Sequence, residues 1–153
     1  MIRVSTDVIF RSATEADLPA IVALLADDMI GAGRENASSD AYVTAFREVS
    51  ADPRNHLVVA DIDGEVAGTL QLTYIPGLSR MGAERAQIEG VRVAAAHRSR
   101  GLGREMIKWA VGQAKARGCR LVQLTSDKRR SDAIRFYESL GFESTHEGMK
   151  LPL

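Results

Sequence analysis

The sequence has a single cysteine, Cys119, in 153 residues. That excludes an intrachain disulfide, and no His or Cys cluster has the spacing of zinc ligands, so no metal is expected. A lone thiol fits a reduced, cytoplasmic setting. Net charge is also missing, because 20 Lys and Arg face 20 Asp and Glu. The balance gives no general attraction to nucleic acid or to an acidic membrane, and any basic site must be local. No apolar run approaches the roughly 18 residues of a membrane span. The N-terminus has no long apolar stretch after Arg3, so no signal peptide is expected either. Repeats, low-complexity segments and interdomain linkers are absent too. What remains is a chain long enough to bury the core of one domain without disulfides or metal.

Residues 1–7 are expected to form a tail and 8–153 the single domain. Val8-Ile9-Phe10 can start an edge strand leading to a helix for which Thr14 or Asp17 is the N-cap. Leu18, Ile21, Val22 and Leu25 recur there at helical spacing, and Pro19 is tolerable near the first turn. Gly31-Ala32-Gly33 breaks that helix. Ser38-Ser39-Asp40 can cap a second one carrying Tyr42, Val43, Phe46 and Val49. From His56 the period becomes that of strands, Leu57–Ala60 and Val66–Tyr74, joined at Asp63-Gly64 by a strong hairpin signal. A loop over 76–82 precedes a strand from about Arg85 to Val93. Leu102, Met106, Ile107, Ala110, Val111 and Ala114 stripe a helix ending at Gly118. Leu121–Leu124 then supplies a buried strand, which makes a parallel crossover unit. Ala133, Phe136, Tyr137 and Leu140 stripe a last helix, stopped by Gly141 in a left-handed cap with Phe142 folding back. A closing strand over 143–151 is expected.

The most informative stretch is Val91-Arg92-Val93-Ala94-Ala95-Ala96-His97-Arg98-Ser99-Arg100-Gly101-Leu102-Gly103-Arg104, which passes from strand through loop to helix. Glycines at 101 and 103 let consecutive N–H groups at a helix start turn toward a diphosphate, and the helix dipole adds to the attraction. Arg98, Arg100 and Arg104 add cationic side chains. An ordinary loop with solvated arginines is the plainer alternative. A dinucleotide fingerprint is set aside because Met106 stands where a glycine would matter, and a P-loop because Gly-Lys-Ser/Thr is absent.

Arg98-Ser99-Arg100-Gly101-Leu102-Gly103 resembles the Arg/Gln-x-x-Gly-x-Gly/Ala signature of the GNAT (GCN5-related) N-acetyltransferases. Three further landmarks follow the family's order: Arg11–Thr14 with Asp17-Leu18, Asp63–Gly68, and Arg135–Phe142. The resemblance implies an α/β fold whose central mixed sheet splays after the fourth strand, flanked by helices. It also implies acetyl-CoA as co-substrate. The pantetheine arm would pair with the backbone around Val91, Arg92 and Val93, and the pyrophosphate would rest on Arg98, Ser99, Arg100, Gly101, Leu102, Gly103 and Arg104. Many members carry an asparagine three residues before the position of Ala133, where this chain has Arg130. Lys128, Arg129 and Arg130 are instead candidates for the cofactor's phosphates, beside the alternative of a solvated basic turn.

By the same resemblance Glu89 is the candidate general base, a backbone N–H near Val91 the donor to the thioester oxygen, and Tyr137 the acid for the leaving thiolate. The plainer alternatives are a surface or hydrogen-bonded strand carboxylate for Glu89 and a core aromatic for Tyr137. Gln87 shares a face with Glu89 if the strand is unbulged there, and could hold a water. Arg80, Glu84 and Arg85 flank the loop where acceptors bind in this family. Asp27, Asp28 and Glu35 could draw a cationic acceptor, or simply solvate a connector. Trp109, Cys119, His56, His97 and His146 read as packing or surface residues. The implied reaction is acetyl transfer to a small-molecule or protein amine, with a homodimer as an assembly common in the family. The competing class is a non-catalytic acyl-CoA sensor or scaffold. A nucleic-acid module resting on Arg98–Arg104 and Lys128–Arg130 would lack interleaved aromatics.

Overall fold

Two-residue alternation of apolar side chains turns residues 55–75 into a hairpin of two strands. The structure, a computed structural model, describes residues 7–28, 30–36 and 39–153. Ser38 and the expected tail up to residue 6 lie outside the described residues. Five strands run in the order β1-β2-β3-β4-β5, namely β1 (Val8–Ser12), β2 (Asn55–Ile62), β3 (Glu65–Ile75), β4 (Arg85–Val93) and β5 (Leu121–Gln123). Neighbours among β1 to β4 are antiparallel, and β5 lies parallel to β4. This is the mixed sheet that the resemblance implies. The hairpin falls at Asp63-Gly64, where φ is 53° and 83°. Both central residues are left-handed, as a two-residue turn between right-twisted strands requires.

Among the described residues five α-helical segments accompany the strands: α1 (Leu18–Ala26), α2 (Ala41–Ala51), the single turn α3 (Ser79–Gly82), α4 (Leu102–Arg117) and α5 (Ser131–Glu138). Thr14 heads a 3-10 turn, Glu15–Asp17, and Asp17 stands directly before α1, so the two candidate caps occupy successive breaks. Asp40 is the N-cap position of α2, and Ser39 Oγ accepts the Ala41 N–H at 3.2 Å just before it. The expected loop over 76–82 contains α3, whose Arg80 and Met81 both hold left-handed φ values, 56° and 60°.

Register and burial divide the sheet into two faces. Val58, Ala60, Leu70, Leu72, Tyr74, Ala86 and Ile88 are buried on one face. Met106, Ile107, Ala110 and Ala114 of α4 are buried too, and Trp109 stacks on Phe10 with centroids 5.4 Å apart. Arg117, near the end of that helix, lies 4.1 Å over the Tyr74 ring. Val59 and Thr69 are buried on the opposite face, and α1 packs against β3 and β4 and α2 against β2.

The chain divides into two compact units, Met1–Gln123 and Leu124–Leu153. In the second, α5 ends in the expected left-handed cap. Gly141 has φ 92°, its N–H reaches Glu138 O at 3.0 Å, and Phe142 N–H reaches Tyr137 O at 3.1 Å. The expected closing strand does not form, since no residue of 143–153 is in a strand. Glu143 to Glu147 lacks the apolar alternation of a half-buried strand, and the alternating Met149, Leu151 and Leu153 are exposed.

Candidate active site

Strand β4 is paired along its length by β3, from Ile75 opposite Arg85 to Gly68 opposite Val93. On its other edge, β5 follows only Arg85, Ala86 and Gln87, opposite Leu121, Val122 and Gln123. The two parallel strands therefore part after Gln87, and among the described residues no strand pairs with 88–93 on that edge. Unpaired strand backbone is a ready partner for an extended ligand. The β3–β4 register also slips, with Gln71 facing Glu89 but Thr69 facing Arg92. Two steps on β3 thus match three on β4, so β4 carries one extra residue, a bulge at Gly90-Val91. Gly90 takes a left-handed φ of 60° there.

The bulge sends Arg92 to the face of α1. Its Nε comes within 2.7 Å of Asp28 Oδ2 as an ion pair, both side chains being 13% exposed, and its Nη1 donates to Val91 O at 2.9 Å. Asp28 Oδ1 also accepts the N–H groups of Ile30 and Gly31 at 2.7 and 2.9 Å. Arg98 is similarly engaged, donating to Val93 O at 3.1 Å and to Asp27 Oδ2 at 3.1 Å. Both arginines thus lash the end of β4 to the segment after α1.

Beyond Arg98 the backbone turns twice through left-handed space, at Ser99 with φ 60° and at Gly101 with φ 86°. A side-chain carbon at Gly101 would meet nothing within 4 Å, so this glycine serves the backbone angle and not a close approach. Helix α4 starts immediately after it. The Glu105 N–H bonds back to Gly101 O at 3.1 Å, so the N–H groups of residues 102–104 precede the first intrahelical bond. A 16-residue helix adds its dipole at that end. This donor set fits a diphosphate.

A row of polar side chains crosses the sheet on the last rung where β4 and β5 pair. Asn55, Thr73, Gln87 and Gln123 stand opposite one another across β2, β3, β4 and β5. Thr73 Oγ1 donates to Asn55 Oδ1 at 2.8 Å and Gln71 Nε2 to the same atom at 3.3 Å. Gln123 Nε2 donates to Gln87 Oε1 at 2.8 Å, and Gln87 Nε2 donates to Glu89 Oε1. No bulge separates 87 from 89, so these two share a face as expected. Glu89 is exposed on that face.

The profile of the Acetyltransferase (GNAT) family matches residues 18–142. The chain belongs to the GNAT family. A transcriptional regulator from Bacillus halodurans C-125 is 47% identical with a TM-score of 0.93, over 96% of this chain and 100% of that one. An aminoalkylphosphonate N-acetyltransferase of Salmonella typhimurium is 26% identical over 139 residues, 89% of this chain and 85% of the relative. A predicted acetyltransferase from Clostridium acetobutylicum, solved with acetyl-CoA, shares the fold, with a TM-score of 0.73 at 20% identity over 95% of this chain and 96% of that one.

The other residues singled out in this GNAT chain fall as follows. Tyr137, on α5, meets Phe136 and Phe142 edge-on at 5.1 and 5.7 Å. Arg130 caps that helix through its backbone, its carbonyl accepting from Ala133 N–H at 3.1 Å. Lys128 pairs with Glu147 at 2.9 Å and Arg129 with Asp127 at 2.8 Å. Glu84 pairs with Arg117 at 2.6 Å. Beside it, burial pushes the Cys119 thiol up from its ordinary range. Hydrogen bonds from Arg34 and Tyr42 hold Glu35 below the usual carboxylate range, Arg34 contributing most. Sequence reasoning missed Gln123, which carries no signal until register sets it opposite Gln87. It also missed the left-handed angle at Ser99, since serine seldom marks one.

Proposed function

We propose that this chain is an acetyl-CoA-dependent N-acetyltransferase that moves an acetyl group to a primary amine by direct attack in a ternary complex, in the cytoplasm. The observation that carries this reading is the parting of β4 from β5 just ahead of the helix N-terminus opened by Ser99 and Gly101. An extended thioester arm ending in a diphosphate needs both features. The backbone of Val91 and Val93 would hold the arm. Ser99 to Arg104 would hold the diphosphate, with Arg100 and Arg104 as cationic partners and Arg130 as a further candidate. Arg92 and Arg98, already engaged with Asp28 and Asp27, act by fixing this strand end.

Acetyl-CoA supplies the activated acetyl group when bound. The amine must attack as the neutral base, yet an alkyl ammonium has a pKa of about 10.4, so a proton has to leave near the time of attack. Glu89 takes it from the amine nitrogen, directly or through water. The Val91 N–H donates to the carbonyl oxygen as negative charge builds there. Tyr137, in the role the family resemblance gives it, returns a proton to the departing sulfur.

An acceptor screen tests the reaction. Purified protein, acetyl-CoA and a panel of aminoalkylphosphonates, amino acids, polyamines and peptide amines are followed by thiol release and product mass. At least one amine should raise thiol release above hydrolysis and gain an acetyl mass. With that amine, Glu89→Gln should slow transfer most near neutral pH and recover partly as the pH rises and free amine accumulates. Equal rates for mutant and parent at every pH would remove Glu89 as the base. A second reading, an acyl-CoA sensor that transfers nothing, draws support from the 47% identical relative that is a transcriptional regulator. Acetyl-CoA binding without acetylated product across the panel would favour it.

A further inference from the structure

We infer that Gln123 and Gln87 form a polarity-fixed relay that orients the Glu89 carboxylate, with Gln87 as the positioning residue and Gln123 as its anchor. The proposal rests on the reading of Glu89 as the base. An ionised carboxylate only accepts hydrogen bonds. Whatever contacts Glu89 Oε1 must donate, so the amide of Gln87 has to turn its NH2 toward Glu89. Its carbonyl oxygen then points the other way, toward β5, where Gln123 Nε2 donates to it at 2.8 Å. The orientation of both amides thus follows from the charge at one end of the row. No helix is needed to hold it, because register does so. Gln87 and Gln123 face one another in the last rung before β4 and β5 part, and Glu89 is the next residue of that face, the first beyond the rung. The relay therefore restrains one carboxylate oxygen at the mouth of the opening and leaves the other for an incoming amine proton. An exposed glutamate otherwise samples several rotamers, and a base gains from being held.

The test removes or reverses the relay without touching Glu89. Gln123→Met keeps the length of the side chain and loses the donor. Gln123→Glu places an acceptor there, so two carboxylates compete for the single NH2 of Gln87. In the parent, the Gln87 side-chain amide protons should resonate downfield and exchange slowly by NMR. That signature should be lost in Glu89→Ala and weakened in both Gln123 variants. An ordinary, fast-exchanging Gln87 amide in the parent would overturn the relay with no turnover measurement at all.

For function, single-turnover transfer from acetyl-CoA to 2-aminoethylphosphonate serves as the amine probe. Gln123→Met should slow it about tenfold, part of the roughly 10²-fold that a general base supplies, and Gln123→Glu should slow it more. Acetyl-CoA affinity should stay at the parent value. In a Glu89→Gln background the Gln123 substitutions should add nothing, because nothing is left to orient. If Glu89→Gln slows transfer but Gln123→Met and Gln123→Glu do not, the relay is wrong and the base stands. If Glu89→Gln leaves the rate unchanged, the base itself is wrong, whatever the NMR shows.

Discussion

Asp17 joins three pieces of the first unit through one carboxylate. Arg11 grips it with two nitrogens, at 2.7 and 3.0 Å, and the Thr14 N–H donates to it at 2.7 Å. Arg11 also reaches Asp61 of β2 at 2.9 Å. These bonds, those from Arg11 foremost, hold the Asp17 carboxyl down at about 2. A carboxyl depressed in the folded state adds stability that is present above its unfolded value, about 4, and is lost as pH falls through the folded one. Asp17→Asn should therefore cost on the order of 2 kcal/mol near neutrality, and the gap to the parent should close between about pH 4 and 2. Urea unfolding at a series of pH values measures it, and a gap constant down to pH 2 would assign the cost to packing instead. Tyr137 invites the opposite kind of test, one in which the fold should not change. Tyr137→Phe keeps the ring between Phe136 and Phe142, so acetyl-CoA affinity should hold while single-turnover transfer falls roughly 10²-fold. A rate matching the parent would return Tyr137 to a packing role. The sequence named both residues through a motif, but the grip of Arg11 on Asp17 and Asp61 was not legible, because it depends on the pairing of β1 with β2.

Elements with strong local signals were legible almost to the residue. Strand β4 runs over the expected Arg85–Val93, the hairpin turns on Asp63-Gly64, and α4 stops at Gly118. Each has an internal cause: a period, a turn dipeptide or a glycine cap. The expected closing strand failed for the complementary reason, since a polar run next to a few exposed alternating side chains carries no information about a partner strand. The bulge in β4 was illegible too, being a property of the register between two strands. At this scale the loop before α4 makes its own prediction. Gly103 sits in the first turn of that helix, and a branched side chain there would project where a diphosphate has to approach the N–H groups of residues 102–104. Gly103→Val should weaken acetyl-CoA binding at least tenfold, by calorimetric titration, in a protein with parent-like circular dichroism. Unchanged affinity would remove the phosphate role of this helix start.

For the whole molecule, 20 cations cancel 20 anions, and several of the basic residues that look like a nucleic-acid patch are paired locally, Arg98 with Asp27, Lys128 with Glu147 and Arg129 with Asp127. Duplex DNA should therefore bind no more tightly than millimolar at about 0.15 M salt, as checked by fluorescence anisotropy. Micromolar, salt-sensitive binding would revive the basic-patch reading. The family was legible from four short motifs, whereas the acceptor was not, because it depends on how side chains from separate strands converge on one face. The extra residue at Gly90-Val91 has one more consequence, and it concerns arithmetic. Were β4 to keep its length but pair without the bulge, Arg92 would fall in step with Ala86 and Ile88, both buried in the core, and a guanidinium would have to enter that layer. Losing the one extra residue would leave this arginine opposite Thr69, on the face of Glu89, whereas losing a second would turn everything downstream in the strand inside out. Chains built on this frame should keep or lose that residue and the bulge together, so that the register of β4, more than the identity of any side chain in it, keeps the charge on its proper side.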